Sequence, residues 1–354
     1  MKRELLEVYV CPASRSRLNI SGAGSAESDE IIEGELVSEA GAHYKVRRGV
    51  PIFLPLPSLS ETEQEAQAEY DASAEQKYDA AVDWLFQSFY ENEDNLREQM
   101  IDLLHLTPAA RVLEIGSGTG RDSFRIARKL GKQGQFFVQD LSEQMVLKTR
   151  ERLEAESEKL ALSAKIDYFV STARLLPFPD GFFDAVFHFG GFNSFSEPKK
   201  TLAEMTRIVK QGGRIVFGDE SLPPWLEGTE FGEMIVTNNP LFKHKVPLEH
   251  LPLNAREVAL RWVLGGCFYL IDFKVGDGPP PVDIDLPHKG WRGGTMRTRY
   301  YGLLEGVTPE ARKMAIEAAK ARGVSVHEWL DSLVREAARS DRGAGVTMRE
   351  DLSR

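Results

Sequence analysis

An acidic residue and three glycines at alternate positions stand together in the segment RVLEIGSGTGRDS, residues 111–123. The apolar start of this segment predicts a strand, and the sequence RDSFRIARKL that follows predicts a helix. In the turn between them, Gly116, Gly118 and Gly120 lack the side chains that would keep a ligand away from backbone N–H groups and the helix N-terminus. The segment therefore predicts a site for a nucleotide-like ligand.

The spacing of these glycines argues against a dinucleotide, whose fingerprint is G-x-G-x-x-G. Counting from Gly116, the third glycine would fall at Arg121. Counting from Gly118, it would fall at Ser123. Glu114 supports the same conclusion, because a carboxylate would repel a pyrophosphate but suits a ligand that bears an ammonium group and a sulfonium.

A second acid stands at the end of the next predicted strand. Asp140 comes twenty residues after Gly120, where a carboxylate can accept hydrogen bonds from both hydroxyls of a ribose. Nicotinamide and adenosyl cofactors share this feature, so Asp140 predicts a nucleoside without choosing between them. Glu114 makes the choice in favour of a sulfonium nucleoside.

Alternating strands and helices must position these residues. Strand patterns are RVLEIG, QFFVQD, KIDYFV, FDAVFHFG, GRIVFGD, CFYLIDFKVG and TMRTRYYGLLEGV, and helix patterns between them include SEQMVLKTRERLEAESEKL and PKKTLAEMTRIVK. This alternation predicts βαβ units and an α/β fold with a doubly wound, mostly parallel sheet.

Four of these motifs, in order, resemble the class I S-adenosylmethionine-dependent methyltransferases: VLEIGSGTG, VQDLSEQM, LLPFPDGFFDAVF and IVKQGGRIVFGDE. The likeness covers roughly residues 70–305 and is strongest to the small-molecule group that contains quinone-biosynthesis C-methyltransferases. It implies a Rossmann-like sheet of seven strands, the last of them at residues 295–307, and S-adenosylmethionine as the cofactor.

The resemblance also implies roles for individual residues. Glu114 would support the methionine amino group, Asp140 would hold the ribose, and Thr172 stands where the family usually has an aspartate that meets the adenine amino group. The full predicted cofactor set is Glu114, Gly116, Ser117, Gly118, Thr119, Gly120, Asp140, Leu141, Met145, Thr172, Ala173, His188 and Phe189.

The methyl acceptor should lie where the fourth strand of the sheet ends, because ligands bind at the carboxyl ends of such strands. His188 is the candidate general base there, with cofactor packing as its alternative role. The candidate substrate residues are Tyr78, in a helix where family members carry a lid, Phe192, Asn193 and Trp225, in a long insertion after the fifth strand.

Three further segments flank the methyltransferase-like residues 57–306. Residues 1–56 resemble the zinc-ribbon module of tRNA-methyltransferase activators, but Ser14 stands where a second cysteine is needed after Cys11, so we expect no metal. Residues 307–340 resemble the helix pair of ribbon-helix-helix proteins, and their apolar face favours a homodimer or docking over DNA binding. Residues 341–354 form a tail.

Composition narrows the function classes. The 354 residues carry a formal net charge of −10, which disfavours nucleic acid as a partner, and the two cysteines exclude a disulfide framework. We expect a cytoplasmic protein without a membrane segment, because the apolar run VLGGCFYLI is too short to cross a bilayer. The predicted function is methyl transfer to a small organic acceptor. An RNA methyltransferase and a non-catalytic cofactor- or DNA-binding regulator are the alternatives.

Overall fold

The computed structural model describes residues 1–21, 29–54, 59–73, 78–289, 294–297 and 307–343. The chain divides into two compact units, residues 1–280 and residues 281–354. The first unit contains the glycine turn and every predicted site residue.

A single twisted sheet forms the first unit. The strands are β1 Leu18–Ser21, β2 Gly34–Ser38, β3 His43–Arg47, β4 Val50–Phe53, β5 Arg111–Ile115, β6 Gln135–Asp140, β7 Lys165–Ser171, β8 Phe183–Phe189, β9 Val209–Glu220, β10 Ala255–Val263 and β11 Phe268–Val275. Their order across the sheet is β1-β2-β3-β4-β7-β6-β5-β8-β9-β11-β10. The six strands from β4 to β9 run parallel, whereas β1 to β4 pair antiparallel with one another and β11 pairs antiparallel with β9 and β10.

Helices and short 3-10 turns connect the strands. The helices of the first unit are α1 Glu61–Ser73, α2 Tyr78–Ser88, α3 Glu93–Asp102, α4 Ser123–Lys129, α5 Glu143–Leu160, α6 Pro198–Ile208 and α7 Glu230–Asn238. The 3-10 turns are Arg3–Glu7, Phe192–Ser194, Pro240–Lys243 and Leu248–His250. As expected for a parallel sheet covered on both faces, neighbouring residues of β5 and β6 enter opposite apolar layers: Val112 and Phe136 in one, Leu113 and Phe137 in the other.

The sheet has eleven strands and not the predicted seven: the described strands within residues 57–306 are the seven from β5 to β11, and four N-terminal strands are added to them. The four N-terminal strands continue it: Ile52 of β4 lies opposite Val170 of β7, and this pairing satisfies the backbone groups of what would otherwise be an open edge. Tyr9 packs its ring between Phe53 and Phe169, at 5.1 and 5.9 Å between ring centroids. Residues 1–54 therefore share both the sheet and the core of the first unit.

The last two strands of the sheet also differ from the sequence prediction. Strand β10 follows the predicted insertion, residues 220–252, in a stretch for which the sequence predicted no element, and it forms a hairpin with β11. The predicted strand at residues 295–307 lies mostly outside the described residues, since 298–306 are not described. The predicted strand CFYLIDFKVG corresponds to β11.

The N-terminal turn that resembles a zinc site is held by hydrogen bonds. Cys11 is buried, its Sγ lies 3.2 Å from the Tyr44 hydroxyl, and the backbone N–H of Ser14 donates to the same sulfur at 3.5 Å. In the part of the chain that the structure describes, no group of three His, Cys, Asp or Glu side chains is placed to hold a metal ion.

The second unit contains the predicted helix pair, as α8 Pro309–Ala321 and α9 Val326–Gly343. Ser325 and Glu328 have the spacing of a capping box and form one: the Glu328 N–H donates to the Ser325 hydroxyl at 3.1 Å, and the Ser325 N–H donates to the Glu328 carboxylate at 3.0 Å. Leu333 and Val334 are about half exposed. Among the described residues, no helix is long and apolar enough to span a membrane.

Candidate active site

The glycine turn after β5 requires glycine at two positions in particular. Gly118 has a φ of +54°, and a Cβ added there would lie 3.2 Å from the Tyr78 hydroxyl. Gly120 has a φ of +82°, and its added Cβ would lie 3.0 Å from Cγ2 of Thr149. Left-handed backbone and close packing both exclude larger residues, so the turn presents bare backbone to the space above it.

Asp140 is buried at the end of β6 and shapes this turn. Its carboxylate accepts hydrogen bonds from the N–H of Gly118 at 2.9 Å and from the N–H of Ser142 at 3.0 Å. Burial raises the pKa of Asp140 to about 6, although the hydrogen bonds from the backbone act in the opposite direction. The side chain therefore titrates close to the physiological range, beside the predicted ribose position.

Glu114 lies beneath the turn. It is 2% exposed, its carboxylate accepts a hydrogen bond from the Ser123 hydroxyl at the start of α4, and it does not line the cavity described below. Burial raises the pKa of Glu114 well above its ordinary value, and the nearby charge of Asp122 adds to this effect. Its contact with a methionine amino group stays a prediction. In the structure, Glu114 connects the turn to the helix that follows.

A cavity of about 350 Å³ opens over the carboxyl ends of the central strands. The structure brings most of the predicted residues to it: Tyr78, Gly116, Gly118, Asp140, Leu141, Met145, Thr172, Ala173, His188 and Phe189. The predicted residues that do not line it are Glu114, Ser117, Thr119, Gly120, Phe192, Asn193 and Trp225. Ser117 accepts a hydrogen bond from the Thr149 hydroxyl at 3.2 Å, and Thr119 donates to Asp79 at 2.6 Å, so both hold the turn in place.

His188 lines the cavity as a neutral side chain. Its Nδ1 lies 2.8 Å from the carbonyl oxygen of Ile115, a geometry in which Nδ1–H donates and Nε2 is left without a proton. Burial lowers the pKa of His188 to about 4. A base with so low a pKa is a poor proton acceptor at neutral pH, so the geometry favours the alternative role of packing and hydrogen bonding over general-base catalysis.

Three predicted substrate residues lie elsewhere. Phe192 is 2% exposed and packs on Phe217, with ring centroids 5.0 Å apart. Asn193 donates from its side-chain amide to the carbonyl of Glu220 at 2.8 Å, which fixes the loop after β8. Trp225 is 63% exposed and contacts the ring of Trp262 at the surface. The structure does not bring these three side chains to the cavity, although Phe192 and Asn193 support its wall.

Residues 59–73 and 78–88, here called the lid segment, cover the cavity. Lid residues Tyr70, Tyr78 and Trp84 line it from α1 and α2. Two acidic side chains fasten the lid: Glu63 binds the Arg174 guanidinium through two bonds of 2.7 and 2.8 Å, and Asp79 binds Arg121 and Arg152. These contacts fasten the lid segment to the loops at the ends of the strands and to α5.

Sequence reasoning missed several lining residues. They are Glu63, Gln139, Arg174, Glu220, Leu241, Phe242 and Phe268. The position of Glu220 gave a usable signal, since it ends β9 at the same edge of the sheet as Asp140. The others reach the cavity from α1, the end of β6, the loop after β7, the segment after α7 and β11, and no local pattern marks them.

The site fits the cofactor that the sequence implies. The turn leaves free space, which a Cβ at Gly118 would reduce. Asp140 offers a buried carboxylate, and Leu141 and Met145 supply apolar surface. The Thr172 hydroxyl oxygen is buried, lines the same cavity and has no hydrogen-bond partner among the described residues. Such an orphaned polar atom matches a ligand that brings its own donor or acceptor.

Fold and site agree with the resemblance to S-adenosylmethionine-dependent methyltransferases that the sequence motifs indicate. A family model described as a methyltransferase domain matches residues 112–213, which run from β5 into β9.

Curated relatives of this chain carry the name ubiquinone/menaquinone biosynthesis C-methyltransferase UbiE. The protein of this name from Yersinia pestis bv. Antiqua is 32% identical over 123 residues, which is 35% of this chain and 47% of the relative. The protein from Yersinia enterocolitica matches to the same extent. The chain therefore spans about half the length of the curated relatives it matches.

Solved structures resemble the chain more distantly. A SAM-dependent methyltransferase from Aquifex aeolicus is 21% identical with a TM-score of 0.37, covering 51% of this chain and 89% of its own. The phosphoethanolamine N-methyltransferase 2 of Haemonchus contortus in complex with S-adenosyl-L-methionine is 14% identical with a TM-score of 0.45, covering 63% and 61%.

Proposed function

We propose that this protein transfers a methyl group from S-adenosylmethionine to a small organic acceptor bound in the cavity. The observation that carries the proposal is the extent of that cavity. It runs from the glycine turn and Asp140 to a space walled by Phe189, Phe242 and Phe268. Room for a second, largely apolar compound therefore adjoins the cofactor position. The names of the curated relatives suggest a quinone-type ring as one acceptor to test.

The residues at the cofactor end bind and orient S-adenosylmethionine. Asp140 would accept hydrogen bonds from the ribose, Thr172 would meet the adenine, and the N–H groups of the turn would face the rest of the nucleoside. When bound, S-adenosylmethionine supplies an already activated methyl group, so the protein chiefly has to align the acceptor. This requirement explains a site with much packing surface and few polar groups.

The lid segment excludes water. Tyr70, Tyr78 and Trp84 lie over the cavity, and the ion pairs of Glu63 and Asp79 hold them there. A closed, apolar chamber keeps the acceptor's attacking atom free of its hydration shell. The same closure requires that the lid open for cofactor exchange.

Methyl transfer can be tested with S-adenosylmethionine labelled in its methyl group. The protein would be incubated separately with a panel of hydroquinones and amines and with total tRNA. We expect label in a small molecule, and none above the Asp140→Ala background in RNA. Label in RNA alone would contradict the proposal and support an RNA methyltransferase. Cofactor binding without any transfer would support a regulatory role.

A further inference from the structure

A carboxylate stands at the end of the cavity that is far from Asp140. Glu220 is the last residue of β9 and lines the cavity. In the order β6-β5-β8-β9, three strand spacings separate Glu220 from Asp140, which amounts to about 14 Å. Since Asp140 marks the ribose position, Glu220 lies toward the acceptor.

Glu220 lies beside a second acid, Asp219, and the two side chains are hydrogen-bonded. Its neighbour Asp219 is fully buried and accepts hydrogen bonds from the N–H groups of Gly191 and Asn193 at 3.1 and 2.5 Å. Burial, with the adjacent charge of Glu220, raises the pKa of Asp219 well above its ordinary value. Oε2 of Glu220 is shielded from solvent and has no hydrogen-bond partner among the described residues.

The described residues that line the cavity offer no positive charge to Glu220. Arg174 is the one lysine or arginine among them, and its guanidinium pairs with Glu63 at 2.7 Å and with Glu197 at 3.5 Å. His188 is 1% exposed and neutral, and its Nε2 also lacks a partner. A carboxylate oxygen that is shielded from solvent and lacks a partner is costly, so this arrangement indicates that a ligand supplies the partner of Oε2.

The walls beside Glu220 describe the rest of that ligand. Phe189, Leu241, Phe242 and Phe268 form an apolar, largely aromatic surface. We infer that Glu220 binds the acceptor through an ammonium or hydroxyl group carried on an apolar ring or chain, so that the enzyme selects amines and alcohols and rejects carboxylates. This inference rests on the proposed function and names the acceptor class for the same site.

Three compounds that share a phenethyl body test the selection: phenethylamine, phenethyl alcohol and hydrocinnamate, which end in an ammonium, a hydroxyl and a carboxylate. Each is titrated into the protein saturated with S-adenosylhomocysteine, and binding is followed by ligand-observed NMR. We expect the amine and the alcohol to bind at least about tenfold more tightly than the acid. In Glu220→Gln the difference between amine and acid should fall below about threefold, because the charge is gone. The charge-retaining Glu220→Asp should keep it.

Other results would overturn the inference. They are equal binding of acid and amine by the wild type, binding of none of the three compounds, or an unchanged difference in Glu220→Gln. A loss of S-adenosylhomocysteine affinity in Glu220→Gln would assign the carboxylate to the cofactor instead. Failure of the wild type to bind S-adenosylhomocysteine would contradict the proposed function itself, and that titration comes first.

Discussion

The two ends of the cavity are built in different ways. The cofactor end comes mainly from one stretch of chain, Gly116 to Met145, where a strand, a turn and the end of the next strand meet, and Thr172 joins it from the end of β7. The acceptor end collects side chains from the lid segment, from the ends of β8 and β9, from residues 238–242 and from Phe268 of β11. One end uses bare backbone and a buried acid, whereas the other uses aromatic surface and a lone carboxylate.

This difference separates the cofactor end, which has to stay constant, from the acceptor end, which can vary. Backbone N–H groups and a strand-end acid recognise a nucleoside wherever the same turn is made, so the cofactor end depends on local conformation. The acceptor end depends on packing between elements that are distant in sequence, and each of those elements can change without disturbing the turn. We therefore expect substitutions at the first end to act on cofactor affinity and substitutions at the second to act on acceptor choice.

The largest effect on the cofactor end is expected from Gly118→Ala. A Cβ at this φ of +54° is strained and lies 3.2 Å from the Tyr78 hydroxyl. We predict that S-adenosylmethionine affinity, measured by calorimetry, falls by about thirtyfold, equivalent to about 2 kcal/mol. Gly181→Ala is the matched control, because Gly181 has a φ of +62° with its nearest neighbour atom at 3.7 Å and lies outside the cavity. Equal losses in both variants would contradict the assignment of the turn.

Asp140→Ala should weaken cofactor binding at least about tenfold, or about 1.4 kcal/mol, since it removes the predicted ribose contact. The wild type should also show pH dependence. The pKa of Asp140 is raised to about 6 in the free protein, and the ribose hydroxyls favour the ionised carboxylate. Affinity should therefore be full above pH 6 and decline as the pH falls through that value. A wild-type affinity that does not change with pH in calorimetry would rule out this role. The Asp140→Ala variant lacks the titrating group, so its affinity should not depend on pH and serves as the reference.

Thr172→Val tests the orphaned hydroxyl at the adenine position. Val keeps the shape and removes one buried hydrogen-bonding group, so S-adenosylmethionine affinity should fall by about fivefold, or about 1 kcal/mol. Thr206→Val makes the same chemical change inside α6, where the hydroxyl donates to the Leu202 carbonyl at 2.7 Å. Only the first variant should bind the cofactor less tightly in calorimetry. No change in Thr172→Val would remove this residue from the site.

The smallest effect on cofactor binding is expected from a substitution in the lid segment. Asp79→Asn weakens the ion pairs with Arg121 and Arg152, which are partly exposed and so contribute modestly. We expect cofactor dissociation, measured by stopped-flow, to accelerate about threefold and to lose part of its salt dependence. Asp83→Asn, which loses a single more exposed bond to Arg121, is the control. Identical dissociation rates in wild type and Asp79→Asn would show that these ion pairs do not hold the lid.

The sequence was sufficient to predict what local chemistry determines. The glycine turn, the buried Asp140 and the strands from β5 to β9 follow from spacing and periodicity, and all lie where they were expected. The capping box of Ser325 and Glu328 is also a local feature, because it involves four consecutive residues.

Pairing between strands that are distant in sequence could not be predicted from local spacing and periodicity. The pairing of β4 with β7 depends on which edge of the sheet is open. Strand β10 follows the predicted insertion and was not predicted, because only its hairpin with β11 identifies it as a strand. Glu114 illustrates a subtler limit: its type and position were predicted, but only packing shows that its carboxylate faces Ser123 beneath the turn and not the cavity.

Binding of S-adenosylmethionine to ligand-free protein tests the central assignment most directly. Calorimetry should give saturable binding of one cofactor per chain, displaced by S-adenosylhomocysteine, indifferent to NAD and strongly weakened in Gly118→Ala. Absence of saturable uptake, or binding of NAD in its place, would contradict the assignment of the glycine turn to a sulfonium nucleoside.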